Sequence, residues 1–163
     1  VKTISKRSVL FAATGVLFVA AVVVTALTGY RFWSDRQAEQ ARSESVAAAQ
    51  HTVESLFSYD FNTADKELPR AADNLTGDFR NTYLTLISKS VIPAAKEKKI
   101  TVQATSQAAG VIDTSRDHAT VLVYANQLTT SADLPKGTLT SSRVRVELVK
   151  HDGHWLATAV TPV

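Results

Sequence analysis

The residues that could do chemistry are few and scattered. His151 and His154 flank Asp152-Gly153. Two imidazoles facing each other across a tight turn could hold a metal ion, but a firm site takes about four ligands, and Asp152 is tied up in the turn. His51 and His118 have no evident companion. Asp60 and Asp65 could act as acids at a cavity mouth. Both also stand where a turn or a helix start uses a carboxylate for capping. Glu147 shares a period-two face with Arg143 and Arg145, which reads as a solvated face or a docking stripe. Catalysis needs reactive groups that converge on a pocket. None is indicated here, so the expectation is a protein that is not an enzyme, with no catalytic residue, no metal and no cofactor. The chain has no cysteine, which excludes disulfides, thiolate metal sites and cysteine nucleophiles.

Aromatic side chains offer a different chemistry. Phe79 and Tyr83 are four residues apart and share a helix face. With Tyr59 and Phe61 they could line a lipid-binding cavity or meet a partner. The plain alternative is ordinary core between helices and sheet, and that reading is preferred. Lys96, Lys98 and Lys99 could meet anionic groups of lipids or of a partner. A lysine cluster late in a helix also suits its C-terminal dipole, and a solvated helix end is the preferred reading. Possible partner or lipid contacts are therefore Tyr59, Phe61, Phe79, Tyr83, Arg143 and Arg145.

The elements that must position these residues follow from periodicity. From Ser34 to Ser58 there is no Pro or Gly, and Val46, Ala49, Val53, Leu56 and Phe57 recur at helical spacing. The first half of this stretch is polar, as an exposed stalk would be. Asn62 and Thr63 are candidate caps for a short helix with Asp65 and Glu67 in its first turn. Leu75-Thr76-Gly77-Asp78 restarts the helical pattern, with Phe79, Tyr83, Leu86 and Ile87 as the apolar face. Pro93 stands near the start of a further helix. After Ile100 the period changes to two: Val102, Ala104, Ser106 and Ala108; then Ala119, Val121, Val123 and Ala125 alternating with Thr120, Leu122 and Tyr124, as in a strand covered on both faces. Val144, Val146 and Leu148 alternate with Arg143, Arg145 and Glu147 in a half-exposed strand. Trp155, Ala157 and Ala159 form a fourth run, joined to the third by Asp152-Gly153, a strong signal for a tight hairpin. Helices first and about four strands afterwards imply an α+β fold, with helices packed on one face of an antiparallel sheet.

The N-terminal part has a separate logic. No charged residue occurs from Val9 to Tyr30, and about 20 apolar residues cross a bilayer core as a helix. A signal peptide has a shorter core and a small-residue cleavage site; no good site precedes Tyr30. Lys2, Lys6 and Arg7 lie before the run, while the following arginines are mixed with acids. That pattern places the N-terminus in the cytoplasm. Tyr30, Phe32 and Trp33 suit the outer interface. The expected organisation is thus a cytoplasmic N-terminus (1–8), a transmembrane helix (9–30), a stalk and first helix (31–58) and an extracytoplasmic α+β domain (59–163). The net charge is +3, and Lys2, Lys6 and Arg7 alone would supply it. The remaining chain is near neutral, so nucleic acid is not an expected partner.

From about Leu56 onward an ordered set of short pieces resembles a known family. These are Tyr59-Asp60-Phe61; Leu75-Thr76-Gly77-Asp78-Phe79-Arg80 followed by Tyr83; Val91 with Pro93; Ala109-Gly110-Val111; Val121-Leu122-Val123-Tyr124-Ala125-Asn126-Gln127; Ser142-Arg143-Val144-Arg145-Val146; Gly153-His154-Trp155-Leu156; and Thr161-Pro162-Val163. Together they resemble the Mce-associated membrane proteins of actinobacteria. Tyr124-Ala125 departs from the bulkier apolar residues expected there. The resemblance implies a soluble domain similar to the VirB8-like and NTF2-like cone: helices on a curved four-stranded antiparallel sheet. It also implies an accessory protein of the inner membrane, with its domain in the periplasm. Implied partners are the permease, ATPase and Mce proteins of a lipid import complex, and possibly lipid itself. An extracytoplasmic lipid-binding domain and a scaffold of a secretion system are the alternatives. The resemblance brings no catalytic residue.

Overall fold

The computed structural model describes residues 23, 25 and 37–163. The chain divides into two units, Val1–Glu39 and Gln40–Val163. The expected span at 9–30 lies outside the described residues, apart from Val23 and Thr25, which are helical. Among the described residues no helix is long and apolar enough to cross a membrane.

The second unit begins with helix α1 (40–57). Its buried stripe is Ala41, Ser45, Ala49, Thr52, Val53 and Leu56, a spacing of three and four that keeps one helix face on the core. Burial thus begins at Ala41, inside the stretch whose polarity suggested an exposed stalk. The stripe there is made of Ala and Ser, which lie flat against a neighbour. The Ser45 hydroxyl is satisfied by donating to the Arg42 carbonyl at 3.0 Å.

Helix α2 (Ala64–Ala71) carries Asp65 and Glu67 in its first turn, as expected. The expected side-chain caps are not made. Thr63 occupies the N-cap at φ −120°, ψ 0° and forms no capping bond. An N-cap side chain reaches the first turn from an extended backbone, and this one is not extended. Asp60 organises the turn instead: its carboxylate accepts from the Asn62 backbone N–H at 2.9 Å and from the Thr101 hydroxyl at 2.8 Å.

Helices α3 (Gly77–Leu86) and α4 (Ile92–Lys98) are joined through a π-turn at Ile87–Val91. Pro93 has no N–H to give to the carbonyl four residues back, and the wider turn absorbs that loss. Phe79, Tyr83, Leu84 and Ile87 face the core. Leu86, expected on that face, is 55% exposed; Leu84 packs in its place. The rod ends at Lys99, which takes the left-handed conformation (φ 51°). The Ile100 N–H donates to the Ala95 carbonyl at 2.9 Å, closing the helix end.

Four strands follow in antiparallel order β1 (Thr101–Thr114), β2 (His118–Thr130), β3 (Thr138–His151) and β4 (His154–Pro162). The α+β expectation is met. Val121, Val123, Val144, Val146 and Leu148 lie under α1 in one buried cluster with Ala49, Val53 and Leu56. A second cluster, Ala64, Leu68, Ile87 and Ala95, holds α2 to the α3–α4 rod. The β3–β4 hairpin turns on two residues, Asp152 at φ 49° and Gly153 at φ 82°, the pair of positive angles that Asp-Gly favours.

Three of the strand expectations need correction. Gln107 is an extra residue in the β1 ladder, so Ala109, not Ala108, stands opposite Val123 on the core side, and Ala108 pairs with Tyr124. Thr158 does the same in β4: Ala159 pairs with Glu147, and Val160 pairs with buried Val146. A bulge reverses the facing of everything beyond it. Finally, β2 is covered on one face only. Leu122 is partly buried, and Tyr124 is 46% exposed because, among the described residues, no helix crosses that side of the ladder.

Candidate functional site

The expected contact residues do not converge. Tyr83 bridges both buried clusters, and Tyr59 packs against the second. The Tyr83 hydroxyl donates to the Leu56 carbonyl at 3.4 Å. Burial, with Tyr59 alongside, pushes the Tyr83 phenol well above the usual tyrosine range, and burial also raises Tyr59. Phe79 packs against the first cluster, and Phe61 is half-buried in the turn before α2. These aromatics help to join helices, and Tyr59 also borders a cleft. Arg143 and Arg145 lie on the opposite side of the sheet and are exposed.

The polar candidates are mostly satisfied locally. Asp60 lies in a cleft of ≈ 670 Å³ bordered by His51, Tyr59, Glu67, Arg70 and Thr101. Hydrogen bonds from the Asn62 backbone, Thr101 and the Asn62 side chain hold its carboxyl below the usual range. Glu67 accepts from the Asp60 backbone N–H at 3.2 Å. Both acids thus organise the turn. Lys96 pairs with Asp65 at 3.4 Å, with both side chains exposed. His151 and His154 stand directly opposite each other in the hairpin. Among the described residues, the acid that pairs with them is Asp152, 3.4 Å from His151. Among the described residues, no group of three or more His, Cys, Asp or Glu is placed to hold a metal. His118 does have a companion: Asp117 at 2.9 Å.

Sequence reading missed one polar cluster. Glu44 on α1 accepts from the Lys150 ammonium at 2.6 Å, from the Trp155 ring N–H at 3.3 Å and from the Gln40 amide at 2.8 Å. The Lys150 ammonium also sits 5.5 Å from the centre of the Trp155 ring, within cation–π reach. The Lys150 hydrogen bond is the main cause that lowers the Glu44 pKa. This cluster ties the start of α1 to the far hairpin, more than a hundred residues away. No local pattern signals it.

Two surfaces remain for function. One is the polar cleft beside Asp60. The other is the outer face of the sheet, where cross-strand rungs bring together Leu122 with Arg145, Tyr124 with Arg143, Asn126 with Ser141, and Leu128 with Leu139. Leu128 is 40% and Leu139 65% exposed. Neither Arg143 nor Arg145 has an ion-pair partner among the described residues. Exposed apolar groups beside unpaired cations are a recognition surface in physical terms.

Residues 8–163 match the family described as "Uncharacterized protein Rv1363c/MT1408-like". The chain belongs to this family. A relative in Mycobacterium tuberculosis, named outer membrane protein Rv1973, is 39% identical over 155 residues, covering 93% of this chain and 96% of the relative. Among solved structures, the Rv1363c/MT1408-like fold is similar to an IcmL-like type IV secretion system protein of Legionella pneumophila. The TM-score is 0.63 at 12% identity, over 75% of this chain and 93% of that one. It is also similar to CagV, a VirB8 homolog of Helicobacter pylori, with a TM-score of 0.59 at 9% identity over 74% and 97%. The VirB8-like architecture implied by the sequence pieces is thus the fold that is seen.

Proposed function

We propose that this member of the Rv1363c/MT1408-like family is a non-catalytic accessory subunit of the cell envelope that docks onto a larger assembly. In this reading the N-terminal segment anchors the chain in the inner membrane and the α+β domain works outside the cytoplasm. The assembly is an Mce-type lipid importer, with its permease, ATPase and Mce proteins as partners. The observation that carries the docking role is the open outer face of the sheet. It displays Tyr124, Leu128 and Leu139 beside Arg143 and Arg145, while the acids of the Asp60 cleft are spent on turn geometry. The Mycobacterium tuberculosis relative is named an outer membrane protein, which supports a place in the cell envelope but does not name the inner membrane. The ordered sequence pieces from Leu56 onward support the Mce assignment. Tethering suits such a role, because an anchored domain meets its partner at high effective concentration and needs only modest contacts.

A second reading, a scaffold of a secretion machine, is favoured by the likeness of fold to the secretion-system domains. One experiment separates the two. The full-length chain is purified from its native host in mild detergent, and partners are identified by mass spectrometry. Stoichiometric recovery of permease, ATPase and Mce subunits is the expected result. Recovery of secretion components in their place would transfer the role to the scaffold reading. Recovery of bound lipid without protein partners would point to a carrier.

A further inference from the structure

Among the described residues, the outer edges of β1 and β4 are partly covered and are interrupted by bulges. Along β1, Tyr59 and Val102 exchange two backbone hydrogen bonds of 2.9 Å. The Ala104 N–H donates to the Ser58 hydroxyl at 3.0 Å, and the Ser106 N–H to the Glu54 carboxylate at 2.8 Å. Beyond Ser106, that edge is interrupted at Gln107 and again at Ile112. On β4, the Thr76 N–H donates to the Ala157 carbonyl at 2.9 Å, and the ladder is interrupted at Thr158. Covers and bulges of this kind are how soluble proteins keep strand edges from pairing with other chains.

The N-terminal part of β3 has neither. The β3–β4 ladder begins at Val144, paired with Pro162, and the Val163 N–H donates to the Arg143 carbonyl at 3.0 Å. Before Arg143, β3 has no partner on that side among the described residues. Its pairing with β2 runs from Thr138 to Val149 without a register shift. Backbone groups in an antiparallel ladder point the same way every second residue. Since the Arg143 carbonyl points to the β4 side, the N–H and C=O of Ser141 and Leu139 point there too. The edge Thr138-Leu139-Thr140-Ser141-Ser142 contains no charge, no Pro and no Gly. A hollow of ≈ 650 Å³ lies at this rung, bordered by Gln107, Tyr124, Ser141, Ser142, Arg143 and Val163. The Ser142 hydroxyl is buried there without a hydrogen-bond partner.

We propose that the edge of β3 at Leu139 and Ser141 receives an extended segment of a partner protein, which adds a strand in line with β4. The segment carries acidic and aliphatic residues on its outer face. Added there, its outward side chains stand beside Arg143 and Leu139, which matches an acid to the guanidinium and an aliphatic group to the leucine. Backbone hydrogen bonds supply affinity and these side chains supply selectivity. This inference rests on the docking reading but not on which assembly is docked.

The test uses the full-length chain in detergent and an eight-residue peptide in which every second residue is threonine and valine and glutamate take turns between them, so that both stand on one face of the added strand. Amide hydrogen exchange is read residue by residue. The expected result is exchange at Leu139 and Ser141 slowed about fivefold or more at saturating peptide. The valine–lysine counterpart gives no protection. Ser141→Pro removes an N–H that points away from β2, so the ladder is kept and the protection is lost. Circular dichroism checks that the variant keeps its fold; if it does not, Leu139→Glu sets a like charge against the acidic segment on the same edge, and the protection is expected to be lost there instead. Protection elsewhere, or none, overturns the proposal. So does protection that grows with protein concentration without peptide, because the edge would then pair with a second copy. Purification from the host separates the two levels. If wild type and Ser141→Pro recover the same partners equally, the edge proposal falls and the docking reading stands. If wild type recovers no partner, the docking reading falls and takes the edge proposal with it.

Discussion

The two faces of the sheet come from the same strands, residue by residue, and are under opposite constraints. Val144 and Val146 are fully buried beneath α1, whereas their neighbours Arg143, Arg145 and Glu147 are exposed. On the helix side each position is filled by packing, and a change there is felt through the whole cluster. On the outer side little depends on a side chain except what it can meet in solution. Stability is thus concentrated on one face, and the other is the face proposed to meet a partner.

The sharpest way to break this contrast is to place one charge on each face. Val146→Asp is expected to lose roughly 3–5 kcal/mol, because a carboxylate is buried without a partner. Arg145→Asp, one residue away, is expected to stay within about 0.5 kcal/mol of wild type. Urea denaturation followed by circular dichroism measures both, and similar losses would show that the outer face is structural too. Leu68 tests whether the second buried cluster matters as much as the first. It is almost fully buried between α2 and the α3–α4 rod. Leu68→Ala should cost about 2–5 kcal/mol in the same assay.

The hairpin gives a smaller effect. Gly153→Ala forces a side chain into φ 82° and should cost roughly 1–2 kcal/mol, read as a lower melting temperature. The Glu44 cluster gives a smaller effect than the hairpin. Lys150 and the other donors hold its pKa below the ordinary value of 4.5. A depressed carboxylate stabilises the fold above that ordinary value and loses its contribution as pH falls through the folded pKa. Wild type should therefore exceed Glu44→Gln by about 1 kcal/mol or less near neutral pH, since the pair is partly exposed. The difference should shrink toward pH 3. A gap that widened on acidification would show that Glu44 is not the bonded anion.

Legibility in the sequence tracked how local the cause was. The Asp152-Gly153 turn was plain because both positive angles are set within the dipeptide. The segregation of helices and strands was plain because periods of 3.6 and 2 are carried by adjacent residues. Leu86 was misassigned because helical spacing alone does not say which flank of a face meets a neighbour. Ala108 and Ala159 were misassigned because one unpaired residue, Gln107 or Thr158, reverses the facing of a strand. That extra residue exists only relative to the partner strand.

The candidate contact residues divide in the same way. Arg143 and Arg145 were readable as a stripe, since alternation with Val144 and Val146 fixes their face. Tyr59, Phe79 and Tyr83 were readable only as aromatic. Whether they line a cavity or join two clusters depends on what lies across from them, and Leu56 and Leu68 came from other segments. The amino-acid sequence thus determined the order of elements, the hairpin and the alternation of the central strands, each governed by neighbours within a few residues. The tertiary structure alone decided that Glu44 reaches Lys150 and that, among the described residues, helices cover one face of β2 but not the other and the edge of β3 is unpaired at Leu139 and Ser141. Those depend on contacts between distant segments, whose geometry no short window of sequence contains.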